Sequence, residues 1–234
     1  MNNQIFCFLV YKLNSSLEKK ILNFSKHGKI YICYHLTEIK KKNGINYIKY
    51  DNEFFEFSGY LKIIKKLKNF NSNNQKVVIV NDTLFYNHNF VWEILLKNNN
   101  IRNNYIYGDI RRTDNLLASW LYVFILNRKN LLILEESINF GIKKIRNNEI
   151  DNKLIEKIDN WLLNDHILFG WHNSGPKLNK DTYNRKRTTI LLENYSSIFL
   201  NKKNKLRFFP NYFIFHFLIN LFDRLINLKN KLFK

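Results

Sequence analysis

The chain has 234 residues, 45% of them hydrophobic and 16% aromatic, with only 7 glycines and 2 prolines. That length and composition suit one sizeable core and exclude global disorder, collagen-like repeats and Pro-rich or Gly/Ser linker architectures. The net charge of +19 favours anionic partners: phosphate-bearing ligands, anionic lipid or nucleic acid. Lys, Asn, Ile, Phe and Tyr are abundant together, a bias that an AT-rich coding sequence produces without selection for charge.

The two cysteines, Cys7 and Cys33, lie in apolar runs without CxxC or Cys/His spacing. They read as buried thiols in a reducing compartment rather than metal ligands. The first residues lack a basic region and a long apolar run, so no signal peptide is expected and they are read as part of the fold.

Gln4 to Tyr11 is a short apolar run that predicts a buried strand. Asn14, Ser15 and Ser16 are candidate caps for a helix carrying Leu17, Ile21 and Phe24, which Gly28 ends. Lys29 to Tyr34 and Ile45 to Tyr50 predict two more strands. Ser58 to Lys68 predicts a helix, with Tyr60, Ile63, Ile64 and Leu67 on its apolar face. Lys76 to Val80 has the continuous apolar character of a central parallel strand. A helix is predicted around Phe90 to Leu95, and a strand from Tyr105 to Ile110.

Leu116 to Leu126 fits either a helix or a buried strand, and Leu131 to Leu134 reads as a strand. Glu149 to Leu163 predicts an amphipathic helix, Asp165 to Lys180 a loop, and Thr188 to Leu200 a helix. Strands alternating with helices imply an α/β protein, with a mostly parallel open sheet flanked by helices. Ligands of such sheets bind where the strands end.

Residues 201 to 234 are expected to form a basic amphipathic tail following a domain over 1 to 200. Phe213, Phe217, Leu221, Leu225, Leu228 and Leu232 make a wide apolar face, with Lys202, Lys203, Lys205, Arg207, Arg224, Lys229, Lys231 and Lys234 as a basic fringe. The apolar stretch is shorter than the ~20 residues a bilayer span needs. The pattern fits a helix lying on an anionic membrane surface, or one docked on the core or a second subunit. The expected location is cytoplasmic, peripheral to the inner face of the membrane.

The segment Val77 to Phe85 delivers Asn81, Asp82 and Thr83 to the end of a hydrophobic strand. A carboxylate there can ligate a divalent cation, which in turn holds a diphosphate. Asn81-Asp82-Thr83 after such a strand resembles the metal motif of GT-A glycosyltransferases near family 2, with Val80 at the first position of the D-x-D form. Upstream, Asn52 and then Ser58-Gly59 before a helix resemble the same family's third strand and following loop. The resemblance covers residues 4 to 112. It implies a GT-A, Rossmann-like fold and an inverting transfer of sugar from a nucleotide-sugar donor to a surface polysaccharide or lipid-linked acceptor. Asn52, Gly59, Asn81, Asp82 and Thr83 would then contact the donor, and Asp82 would hold a magnesium or manganese ion.

Arg111 and Arg112, after a strand, can clamp phosphate. The family places an acidic base after the central sheet, where Glu135, Glu136 and Asp165 are candidates. The run Arg185-Lys186-Arg187 reads as a solvated face, with phosphate or lipid contact as the sharper alternative. No Gly-rich P-loop, G-x-S-x-G or H-E-x-x-H sequence occurs. Helix-turn-helix, RRM and zinc-finger patterns are missing too, so specific nucleic-acid recognition is not expected. A basic nucleic-acid-binding protein and an inactive transferase-like subunit are the competing readings.

Overall fold

The computed structural model describes residues 4–39, 41–68, 75–82, 85, 102, 104–113, 116–163, 180–208, 217, 221 and 225. In chain order the elements are β1 (Gln4–Leu13), α1 (Ser15–Leu22), β2 (Lys29–Thr37), β3 (Asn46–Lys49), α2 (Glu56–Lys68) and β4 (Lys76–Asn81). They continue with β5 (Ile106–Thr113), β6 (Leu116–Asn127), α3 (Leu131–Arg146), α4 (Asn152–Leu163), α5 (Lys180–Lys202) and β7 (Leu206–Phe208). The helix predicted around residues 90–95 and most of the loop predicted over 165–180 lie outside the described residues.

The strands form one mixed seven-stranded sheet in the order β3-β2-β1-β4-β6-β5-β7, so the chain is an α/β protein with helices on its sheet. β1 is parallel to both β2 and β4, and β2 is parallel to β3. β6 runs antiparallel to β4 and β5. Only two residues separate β5 from β6, and a link that short can join only antiparallel neighbours. The expectation of a mostly parallel sheet therefore holds for β1 to β4 and is broken by β6.

Side chains alternate across the sheet. Phe6, Phe8, Val10, Val78 and Val80 pack on one face with Leu17, Ile21 and Phe24 from α1 and its exit. Ile5, Cys7, Leu9, Val77 and Ile79 pack on the other face with α2, α3 and α5. Residues i and i+2 share a face of a strand, so the continuous apolar runs of β1 and β4 follow from burial on both sides. Cys7 and Cys33 are buried free thiols, and burial pushes both well above the ordinary thiol range.

α1 is capped as its sequence suggests, with Asn14 Oδ1 accepting the Leu17 N–H at 2.9 Å. Gly28 joins the exit of α1 to β2. A Cβ there would press on the Gln4 carbonyl oxygen, at the start of the neighbouring strand.

Leu131–Leu134 is not the predicted strand but the first turn of α3. Leu131, Leu134, Ile138 and Ile142 continue at three-to-four spacing and enter the core. Four apolar residues in a row do not distinguish the two periods, and this burial decides for the helix. The sheet also passes the boundary expected at residue 200, because β7 pairs in parallel with β5 through Ile106 and Leu206. Among the described residues, no helix is long and apolar enough to cross a membrane.

Candidate functional site

The sequence of strands moves outward from β1 through β2 to β3, then returns to β4 on the other side of β1. This reversal makes the β1–β4 boundary a topological switch point, and ligands of open α/β sheets bind beyond the carboxyl ends of the strands at such points. Asp82 stands there. Its N–H donates to the Leu9 carbonyl at 2.9 Å, and its Oδ2 accepts the Tyr11 N–H at 3.1 Å. Asp82 thus continues the β1–β4 ladder one residue beyond β4 and is held by backbone on both counts.

Aromatic rings line the adjoining edge. The rings of Tyr11 and His35 are 5.4 Å apart, and those of His35 and Tyr50 are 5.8 Å apart. His35 Nδ1 lies 3.3 Å from the Tyr50 carbonyl, an acceptor that calls for the proton on Nδ1. Tyr50 Oη donates to the Val10 carbonyl at 3.3 Å, and burial raises its phenol well above the ordinary range.

The charges come from three distant segments. Glu56 opens α2 and is partly buried. Burial first, then the Asp82 carboxylate, push its acid up to about 7, against the pull of Arg185, the Asn81 side chain and Lys186. The residue before it, Phe55, has φ 54°, a left-handed conformation that bulky side chains rarely take. That turn sets the Phe55 ring 5.4 Å from the guanidinium carbon of Arg185, which also lies 4.5 Å from the Tyr11 ring centroid. Arg185 and Lys186 reach this edge from α5. Burial lowers the Lys186 ammonium to about 8, although Glu56 and Glu193 favour its charge.

Asn81 and Asp82 are therefore brought together as the sequence suggested, along with Glu56, Tyr11, His35, Tyr50 and Arg185, which the motif reading did not assign to the site. Asn52 follows β3 on the same edge. Its Oδ1 is buried without a hydrogen-bond partner. Gly59 sits differently, inside α2 and under the sheet. A Cβ there would lie 3.1 Å from Leu9 Cδ2 and 3.3 Å from the Tyr50 ring. Its carbonyl also faces Cys33 Sγ at 3.6 Å. The reading of Gly59 as a donor contact gives way to one of close helix–sheet packing.

Arg111 and Arg112 pair with Ala118 and Leu117 on the β5–β6 ribbon. β4 meets β6 only as far as Val80–Val123, so this part of the ribbon projects beyond the carboxyl edge, on the Asp82 side.

Glu135 and Glu136 belong to the opposite side. β6 ends beside the start of β4, pairing Asn127 with Lys76, and α3 begins from that amino edge. Glu135 is ion-paired with Lys68 at the end of α2, and Glu136 with Lys203 at 2.8 Å. Neither can serve as base for chemistry at Asp82, and the expectation is corrected on that ground. Thr83 and Asp165 lie outside the described residues.

Among the described residues, no group of three or more His, Cys, Asp and Glu could hold a metal ion by itself. Magnesium, however, commonly takes one or two carboxylates and completes its shell with water and substrate phosphates. Asp82 and Glu56 are two carboxylates near enough for Asp82 to raise the Glu56 acid.

Fold and site together define an α/β protein with charged and aromatic side chains gathered at the carboxyl edge of a sheet switch point. No model of a known protein family matches the chain, and no curated protein is significantly similar to it.

Proposed function

We propose that the protein is a glycosyltransferase of the GT-A, family 2 type, moving a sugar from a nucleotide-sugar donor to a surface polysaccharide or lipid-linked acceptor. The observation that carries this reading is Asp82, backbone-locked at the switch point between β1 and β4 and electrostatically joined to Glu56. Asp82 and Glu56 would hold a magnesium or manganese ion. That ion would supply charge neutralisation for the departing nucleoside diphosphate. The Tyr11 and His35 rings supply flat surface beside it for the base or the sugar, with Tyr50 buried behind them.

The C-terminal residues support an acceptor held at an anionic membrane. Phe217, Leu221 and Leu225 are helical, share one stripe at four-residue steps, and are 67%, 44% and 54% exposed. Apolar side chains presented this way, in a segment rich in Lys and Arg, suit a lipid interface.

The test is turnover. Incubation of the full chain with UDP- and GDP-sugars and magnesium, with and without a lipid-linked acceptor, should release free nucleoside diphosphate. Asp82→Asn should reduce release at least a hundredfold. Wild-type protein inert towards a broad donor panel would remove the transferase reading.

A further inference from the structure

The run Arg185-Lys186-Arg187 is uniform in sequence and divided in the structure. Arg187 turns to α4, where its Nε and Nη2 donate to the two carboxylate oxygens of Asp159 at 2.7 and 2.9 Å. This is the fork-to-fork pairing that guanidinium favours, and it commits Arg187 to holding α4 on α5. Arg185 instead lies over the Tyr11 and Phe55 rings, 4.5 and 5.4 Å from their centroids. Its charge is felt by Glu56 and by Tyr50, both at the carboxyl edge. Lys186 is partly buried and interacts with Glu56 and Glu193.

Resting on the donor-binding reading above, we propose that Arg185 and Lys186 are the phosphate-binding half of the site, holding the diphosphate of the metal-bound donor that reading implies. The charges of the cluster select that ligand. Glu56, Asp82 and Glu193 would repel a bare diphosphate, and Arg185 and Lys186 would repel a bare divalent cation. A magnesium diphosphate carries both signs. It can turn its metal to Asp82 and Glu56 and its phosphate oxygens to Arg185 and Lys186.

The stacking of Arg185 helps, because a guanidinium lying on aromatic faces keeps N–H donors at its rim for phosphate oxygens. Among the described residues it makes no ion pair, in contrast to Arg187. Lys186 adds a compact charge held where water is partly excluded, and an ion pair with phosphate is stronger there than in open solvent. The sheet binds the metal and the helix binds the phosphates, so α5 becomes part of the donor site although it follows the rest of the site by more than a hundred residues.

Calorimetry on the full chain tests this with three probes: UDP, GDP and inorganic pyrophosphate, each with magnesium and each with EDTA. Wild type should bind at least one nucleotide with magnesium and much more weakly in EDTA. Arg185→Ala and Lys186→Ala should each weaken that binding by roughly tenfold or more and reduce its salt dependence. Arg185→Lys, which keeps the charge and loses the fork, should fall between wild type and Arg185→Ala. Arg187→Ala should bind like wild type. Circular dichroism confirms that each variant is folded.

Wild-type binding that survives both Arg185→Ala and Lys186→Ala would overturn the assignment and leave the donor reading standing. Equal binding in magnesium and in EDTA would overturn the metal-bound form of the ligand. No heat from any probe with wild type would overturn the assignment and the donor reading together.

Discussion

Asp82 Oδ2 accepts the backbone N–H of Tyr11 at 3.1 Å, so the first residue after β4 is tied to the last part of β1. The carboxylate has a structural duty as well as its proposed ligand duty, and substitutions separate the two. Asp82→Ala removes the acceptor and should destabilise the chain by about 1 kcal/mol, the ordinary worth of such a bond near solvent. Asp82→Asn keeps an acceptor oxygen and should stay within about 0.5 kcal/mol of wild type in urea denaturation. Both should lose magnesium-dependent nucleotide binding. An asparagine variant that binds like wild type would show that the negative charge is not the metal contact.

Glu56 gives a pH signature. Its acid is raised from 4.5 to about 7 by burial and by Asp82. Between those values the folded chain keeps a proton that the unfolded chain has released. Stability attributable to Glu56 is therefore intact below about 4.5, falls as pH rises through about 7, and stays lost above that. Glu56→Gln should flatten this slope and gain roughly 2 kcal/mol at pH 8 relative to wild type. Thermal unfolding from pH 4 to pH 9 checks it, and parallel curves for the two proteins would rule it out.

The Arg187–Asp159 fork, with both side chains about two-thirds or more buried, should contribute about 1 kcal/mol to the seating of α4 on α5. Arg187→Ala should lower the melting temperature, and Arg187→Lys should recover little, because one ammonium cannot make the paired bonds. The Asp159→Ala, Arg187→Ala double variant should cost less than the sum of its parts.

Gly28 has no room for a methyl group, because the Gln4 carbonyl oxygen occupies the space. Gly28→Ala must push the start of β1 away from β2 and should cost at least about 2 kcal/mol. Gly44, with φ 83° and open surroundings, provides the contrast. Gly44→Ala should cost about 1 kcal/mol from backbone conformation alone. Equilibrium denaturation of the two variants distinguishes crowding from strain.

Most of the first half of the fold is legible in the sequence, because β1, β2 and β4 are buried on both faces and α1 and α2 on one, which leaves continuous runs and three-to-four spacing respectively. Leu131 to Leu134 misleads because its helical continuation, Ile138 and Ile142, is diluted by Glu135, Glu136 and Asn139 on the solvent side. Asp82 is legible as a polar residue at the end of an apolar strand. Glu56 is not, since a glutamate in the first turn of a helix is ordinary favourable placement near the dipole. Its unusual state arises from Asp82 and Arg185, which the chain brings to it from 26 and 129 positions away. The split between Arg185 and Arg187 is equally invisible, because it depends on which face of α5 meets α4 and which meets the sheet edge.

β7 runs in the same direction as β5, from Leu206 beside Ile106 to Phe208 beside Gly108. Strand β7 therefore points toward the strand ends where Asp82 stands. The last paired residue, Phe208, is level with Gly108, opposite Phe124 and Ile79, so β7 covers only the first half of β5 and leaves Asp109 to Thr113 without a strand on that side among the described residues.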